Sequence, residues 1–254
     1  MDRASTRQHY DAIAERYDKY KSRNSYYHNS VIKLCRSIIP EGEHVLELGC
    51  GTGDLLNSLR PSRGVGVDIS PKMIEAAKKK HPHLKFYAME AEDLKLNERF
   101  DYVVMSNLFD LLEDMWVVLE NAKKVSAVDA KMVIVTMSPV WEPILRIAKK
   151  LNLSTPDPER NFITNQDIMN LLNLLGFEVI KEGLRMFLPK KIPILAPLLN
   201  FIVPELPVLR QLCVMQYIVA KVKRPTQSLS CSVIIPCHNE RDNIQDCLRR
   251  LPRL

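Results

Sequence analysis

The chain has 254 residues, 46% of them hydrophobic, which is enough to bury a sizeable core and excludes a disordered chain. Its net charge of +6 is unevenly placed: residues 221–254 hold seven Lys and Arg against three Asp and Glu, leaving 29 against 27 in residues 1–220. That near-neutral main body argues against the phosphate-tracking surface that nucleic-acid binding demands. The first residues lack an apolar signal region, and residues 8–39 read as helical, with apolar positions at helical spacing and an aromatic patch in "YDAIAERYDKY" and "SYYHN". From Pro40 the pattern changes to short apolar strands alternating with amphipathic helices. The strands are expected at 44–49, 64–69, 85–90, 100–106, 131–137, 177–184 and 211–222. Helices headed by Asp54, Ser70 with Pro71, Glu92 and Asp110 separate the first five. Five strand-then-helix units predict an α/β fold with a doubly wound, mostly parallel sheet, because parallel strands need crossovers; the last two strands make an antiparallel edge. Six cysteines show no CxxC pair and no metal-ligand spacing, so reduced thiols in a cytoplasmic protein, with no metal, are expected.

In "VLELGCGTGD" a strand runs into Gly49, Gly51 and Gly53 and then a helix, a turn that lets the backbone approach a ligand without Cβ atoms in the way. The position where a dinucleotide fingerprint wants its third glycine holds Asp54, which weakens a phosphate reading. Glu47, two residues before the first glycine, repels a pyrophosphate but suits a ligand carrying an ammonium and a sulfonium. Asp68 ends the second strand at the spacing expected of a carboxylate that accepts from ribose hydroxyls.

At these residues the chain resembles the class I S-adenosylmethionine-dependent methyltransferases, of Rossmann-like fold, near the small-molecule group that includes quinone-biosynthesis enzymes. "VLELGCGTGD" resembles the first motif of that family, "GVDIS" the second, "FYAMEAEDL" the third and "FDYVVMSNLFDLLED" the fourth; Met89-Glu90-Ala91 replaces the usual Gly-Asp-Ala. The resemblance implies S-adenosylmethionine as cofactor. Glu47, Gly49 and Gly51 would line its methionine end, Gly53 would complete the cofactor-binding turn, Asp68 would hold the ribose, and Ile69, Met73, Glu90 and Ala91 would meet the adenine. Ser106 and Asn107 would close the site, and Tyr10 and Tyr17 resemble a lid built from residues 1–39. Methyl transfer to a small-molecule, lipid-linked or sugar-linked acceptor is the implied activity.

The sulfonium is itself the electrophile, so alignment and exclusion of water do most of the work and a dedicated base is optional. Many relatives read "EHL" after the fourth strand; here Asp110-Leu111-Leu112 stands instead, and the histidine is missing. Tyr17, His28 and Asp110 remain as candidate catalytic groups, although acidic residues at a helix start commonly serve as caps. A non-catalytic positioning module is the alternative to an enzyme.

Residues 184–213, "FLPKKIPILAPLLNFIVPELPVLRQLC" at their centre, insert apolar, proline-broken pieces flanked by Lys190, Lys191 and Arg210 within the methyltransferase domain expected over 40–222. They read as a cap over the acceptor pocket, or as a peripheral contact with the inner face of a membrane. After a linker at 223–230, residues 231–254 resemble the opening strand and helix of family 2 glycosyltransferases, with Pro236, Asn239 and Glu240 in the nucleotide-side turn. An incomplete second domain is therefore expected, its remainder beyond residue 254, and a link to surface-glycan assembly follows from that resemblance.

Overall fold

The computed structural model describes residues 2–151 and 161–223; the linker beyond Lys223 and the glycosyltransferase-like tail lie outside them. Seven strands form one sheet: β1 (His44–Leu48), β2 (Arg63–Asp68), β3 (Lys85–Ala88), β4 (Phe100–Ser106), β5 (Ser126–Met137), β6 (Phe177–Arg185) and β7 (Met215–Val222), in the order β3-β2-β1-β4-β5-β7-β6. The first five are mutually parallel, and β7 runs antiparallel between β5 and β6, so the last two strands make the antiparallel edge expected of them.

Strand alternation builds a core on each face. Val45, Val104, Val133 and Val219 face one layer, where α3 (Ser25–Ile38), α4 (Asp54–Ser58) and α5 (Pro71–Lys80) supply Val31, Leu34, Leu56 and Ile74. Leu46, Leu48, Val103, Met105, Ile134 and Ile218 face the other, covered by Val118 and Leu119 of α6 (Met115–Lys124) and Ile168 and Leu172 of α8 (Asn165–Leu174). Central strands buried on both faces are what a parallel, doubly covered sheet requires. By the same alternation Glu47 falls on the Val45 face, beneath α3 and α4.

Local chemistry sets the helix ends. Ser70 accepts from the Met73 N–H with Pro71 in the first turn, and Lys78, Lys79 and Lys80 complement the last. Thr164 and Asp167 form a reciprocal capping box on α8, whose chain leaves through Gly176 in the left-handed region.

Three boundaries differ from expectation. Asp110 does not head a helix: it lies buried in a short 3-10 turn, and α6 is capped by Asp114, which accepts from the Val117 N–H. β5 starts five residues early, at Ser126, because an irregularity in register opposite Phe100 and Tyr102 absorbs a stretch without alternation. β7 starts late, at Met215, since Leu209–Leu212 coil into a 3-10 turn. A helix, α9 (Leu195–Ile202), also stands where only loop was expected between β6 and β7.

The N-terminal segment forms α1 (Arg3–Ile13), α2 (Tyr17–Arg23) and the long α3. Polar bonds fasten it across the strand ends. Arg3 pairs with Glu90 at 2.8 Å and Glu113 at 2.9 Å; Asp11 accepts from the Ser70 hydroxyl at 2.6 Å; Asp18 accepts from the Thr52 hydroxyl at 2.8 Å; Lys21 pairs with Asp54 at 3.1 Å.

Candidate functional site

The loops after β1, β2, β3 and β4 leave the same end of the sheet, where open α/β sheets hold their ligands. There they line one cavity of about 1380 Å³, closed on the other side by α1, α2 and α3. Glu47, Gly49, Gly51, Asp68, Ile69, Met73, Ala91, Ser106 and Asn107 all line it, as do Tyr10, Tyr17 and His28.

Gly49 and Gly51 have positive φ, and each is closely covered: a Cβ on Gly49 would meet Leu108 at 2.9 Å, and one on Gly51 would lie 3.3 Å from the Tyr17 ring. The lid tyrosine thus rests over the glycine turn, edge to face with Tyr10. Glu47 is 3% exposed, and its Oε2 accepts from the Leu56 N–H at 2.9 Å. Burial pushes its carboxyl up to about 8; Lys21 and the Leu56 bond oppose the shift, and the nearby Asp68 and Asp54 carboxylates add to it. Asp68 accepts from the Gly51 N–H at 2.8 Å with one oxygen and from the Ser70 N–H at 2.9 Å with the other. Burial raises its carboxyl too, against the pull of those two bonds. Each oxygen retains a lone pair, so the carboxylate can hold the turn and still accept from a diol.

Asp54, which replaces the third fingerprint glycine, is used elsewhere. Burial works against its ionisation, yet Lys21, with Lys80 at 2.7 Å and His81 at 3.2 Å, holds it well below the usual carboxylate range. It anchors α2 rather than facing the cavity centre alone.

Three expected site residues are placed differently. Gly53 is not on the cavity wall. Its φ is +79°, and a Cβ there would come within 2.7 Å of the Phe86 ring, so its smallness serves packing between the turn and β3. Gly53→Ala is expected to cost about 1–3 kcal/mol through strain and overpacking, seen as a lowered thermal midpoint. Glu90 leaves the wall because it turns toward Arg3, and Met89, Ala91 and Glu92 line the cavity instead. Asp110 is 3% exposed and off the wall, its carbonyl accepting from the Asn161 N–H. Tyr27 was not foreseen: its hydroxyl donates to Asn107 Oδ1 at 2.8 Å, tying α3 to the end of β4, where Asn107 has φ +53°.

The rest of the cavity is lined partly by the segment expected to cap it, through Leu188 and Lys190, and partly by residues for which no role was expected. Trp141, Ile144, Leu145, Ala148, Phe162 and Leu188 give it apolar walls, with Arg146, Lys150 and Lys190 beside them. Several of these lie on α7 (Glu142–Lys150), where Ile144 and Ile147, with Val140 just before the helix and Leu151 just after it, form a readable helical stripe. The site thus has two buried carboxyl groups at the glycine turn, Glu47 and Asp68, and an apolar antechamber.

The sequence matches the profile of a methyltransferase domain over residues 19–182, and the chain belongs to that family. An uncharacterized protein of Methanocaldococcus jannaschii is 28% identical over 179 residues, covering 70% of this chain and 85% of that protein. A demethylmenaquinone methyltransferase of Thermotoga maritima is 26% identical over 209 residues, covering 69% of this chain and 89% of that enzyme. The chain spans half or less of the length of other relatives, among them malonyl-[acyl-carrier protein] O-methyltransferases. In fold it is similar to a chain of the solved complex between the Haloferax volcanii Trm112 methyltransferase activator and a methyltransferase, with a TM-score of 0.66 at 20% identity, covering 87% of this chain and 99% of that one. S-adenosylmethionine is the expected cofactor of this family member, and the residues present fit it: a buried anion for a cationic group, a carboxylate for a diol, and Ile69, Met73 and Ala91 for a flat ring. Among the described residues no helix is long and apolar enough to cross a membrane.

Proposed function

We propose that the chain transfers a methyl group from S-adenosylmethionine to an amphiphilic small molecule, lipid-linked or sugar-linked, that enters the apolar half of the cavity. The observation that carries the reading is one cavity joining Glu47 and Asp68 to the walls of Trp141, Ile144, Leu145 and Phe162.

When bound, S-adenosylmethionine supplies an electrophilic methyl on a sulfonium. Glu47 in its ionised form offsets the ligand's positive charge, and Asp68 fixes the ribose. The rings of Tyr10 and Tyr17 exclude water from above, which strengthens both interactions. Asn107, held by Tyr27, orients the acceptor side of the cleft. His28, beside Tyr27 with ring centroids 5.5 Å apart, is the candidate that takes a proton from a hydroxyl or amine acceptor; Tyr17 is then a cover rather than a base.

Support for an amphiphilic acceptor comes from the apolar walls with Arg146, Lys150 and Lys190 around them, and from the exposed apolar segment between β6 and β7, which also fits a peripheral position at the inner face of a membrane. The tail motif of Pro236, Asn239 and Glu240 supports a role beside a glycosyltransferase in surface-glycan assembly, with the methyltransferase domain as enzyme or as positioning module. The test is methyl transfer from labelled cofactor to polyprenyl-linked sugars and to water-soluble sugars. Labelling of the former alone supports the reading; labelling of neither, in a chain that binds cofactor, favours the positioning module. Nucleotide-sugar turnover by these 254 residues is expected to be nil, because the Asp-x-Asp metal motif does not occur in residues 231–254.

A further inference from the structure

We propose that α7 and the segment between β6 and β7 together form one docking face for an anionic lipid bilayer, set at the mouth of the acceptor cavity. The inference rests on the methyl-transfer reading for what the cavity holds, and on the surface itself for what the face binds.

Nineteen large apolar side chains are exposed among the described residues, and fourteen of them fall within residues 140–151 and 192–212. Isolated exposed apolar residues are ordinary, but a concentration of this kind marks a partner. Val140, Ile144, Ile147 and Leu151 recur at steps of four, three and four, one side of a helix, and are between 52% and 63% exposed. The second segment presents Ile194 at 85%, Phe201 at 77% and Val208 at 80% exposure.

Polar bonds join the two pieces to each other and tie the second to α2 and α3, while their apolar side chains remain outside. The Trp141 indole N–H donates to the Leu212 carbonyl at 2.7 Å, joining the start of α7 to the end of the second segment. Asn200 of α9 accepts from the Leu188 N–H at 2.7 Å and donates to its carbonyl at 3.0 Å, and Lys190 donates to Asn24 at 2.8 Å. An exposed face fixed in this way is built for display, not left over from poor packing.

Charge identifies the occupant. Residues 139–151 and 186–212 hold six Lys and Arg against two Asp and Glu, and one of the two, Glu142, is paired with Arg146. The rest of residues 1–220 carries 23 basic against 25 acidic residues, so the basic excess of the main body lies in these two segments. Aliphatic side chains beside a basic fringe suit the interface of an anionic bilayer, where the chains enter the headgroup boundary and the cations meet lipid phosphates. Only one of the fourteen exposed apolar residues, Phe201, is aromatic, whereas protein interfaces favour Tyr, Trp and Phe. The face is also continuous with the cavity, since Ile144, Arg146, Lys150, Leu188 and Lys190 line it. An acceptor with an apolar tail can therefore pass from bilayer to cavity without its tail crossing water.

Sedimentation of the full chain with phosphatidylcholine vesicles, with and without phosphatidylglycerol, tests the proposal. Binding to the mixed vesicles alone is expected, weakening as salt screens the basic fringe. Ile147→Ser with Phe201→Ser, and separately Lys191→Glu with Arg210→Glu, should each weaken it about tenfold or more. These residues do not line the cofactor end, so calorimetric S-adenosylmethionine affinity and the thermal midpoint should hold in both variants. No vesicle binding by the unmodified chain, or undiminished binding by both variants, overturns the docking face. A dimer that the Ile147/Phe201 variant dissolves also overturns it, assigning the face to a second copy. Vesicle binding without cofactor binding leaves the face standing and removes the methyl-transfer reading instead.

Discussion

Glu47→Gln is expected to make the ligand-free protein more stable at alkaline pH while removing most of its affinity for S-adenosylmethionine. Burial pushes the folded-state carboxyl up to about 8, from an ordinary value of 4.5. Between those values the folded state binds more protons than the unfolded chain, so stability falls as pH rises, and above about 8 the fold carries the full cost of a buried anion. Glutamine has no charge at any pH and keeps an oxygen for the Leu56 N–H. The variant should match the parent near pH 4 and exceed it by up to about 5 kcal/mol near pH 9, with about 2–4 °C of midpoint per kcal/mol. A bound cation favours the ionised carboxylate, so the parent should release a proton on binding near neutral pH and bind more tightly as pH rises toward 8. Thermal melts at the two pH values, with titrations in buffers of different ionisation enthalpy, check both halves. A pH-independent stability difference would remove Glu47 as the source.

Asp68→Ala is expected to weaken cofactor binding by about 1–3 kcal/mol, roughly 5- to 150-fold, by deleting charge-assisted bonds to the ribose. It also strips the Gly51 and Ser70 N–H groups of their acceptor, loosening the glycine turn and the start of α5. Asp68→Asn removes the charge yet keeps one oxygen for one of those donors, so it should loosen the turn less than Asp68→Ala while also weakening the ribose contact. An adenosine competitor lacking the ribose diol should lose affinity for the parent but little for either variant. Equal loss for the parent and both variants would place the diol elsewhere.

Most of the parallel sheet was legible because its signals are local and repeated. Each strand is a short apolar run, α5 and α8 are opened by capping residues, Ser70 and Thr164, and the glycine turn joins strand to helix. The cofactor end was legible in part for the same reason: Glu47, Gly49, Gly51 and Asp68 lie within or just beyond two adjacent parallel strands, β1 and β2, and all line the cavity. What escaped was tertiary. Glu90 turns outward to Arg3, 87 residues away, and Gly53 is set by Phe86 across the sheet. No spacing rule reports such pairs. In the apolar half of the cavity the 184–213 segment was legible as a cap, but α7 was not, because it lies beyond the familiar motifs, although its stripe and basic residues were open to a periodicity reading.

The most direct measurement is calorimetric titration of the unmodified chain with S-adenosylmethionine, repeated on Glu47→Gln and Asp68→Ala. The account predicts one site per chain, proton release near neutral pH, and loss of most of the affinity in each variant whose fold is retained. No binding by the unmodified chain, or binding that neither substitution weakens, would contradict it.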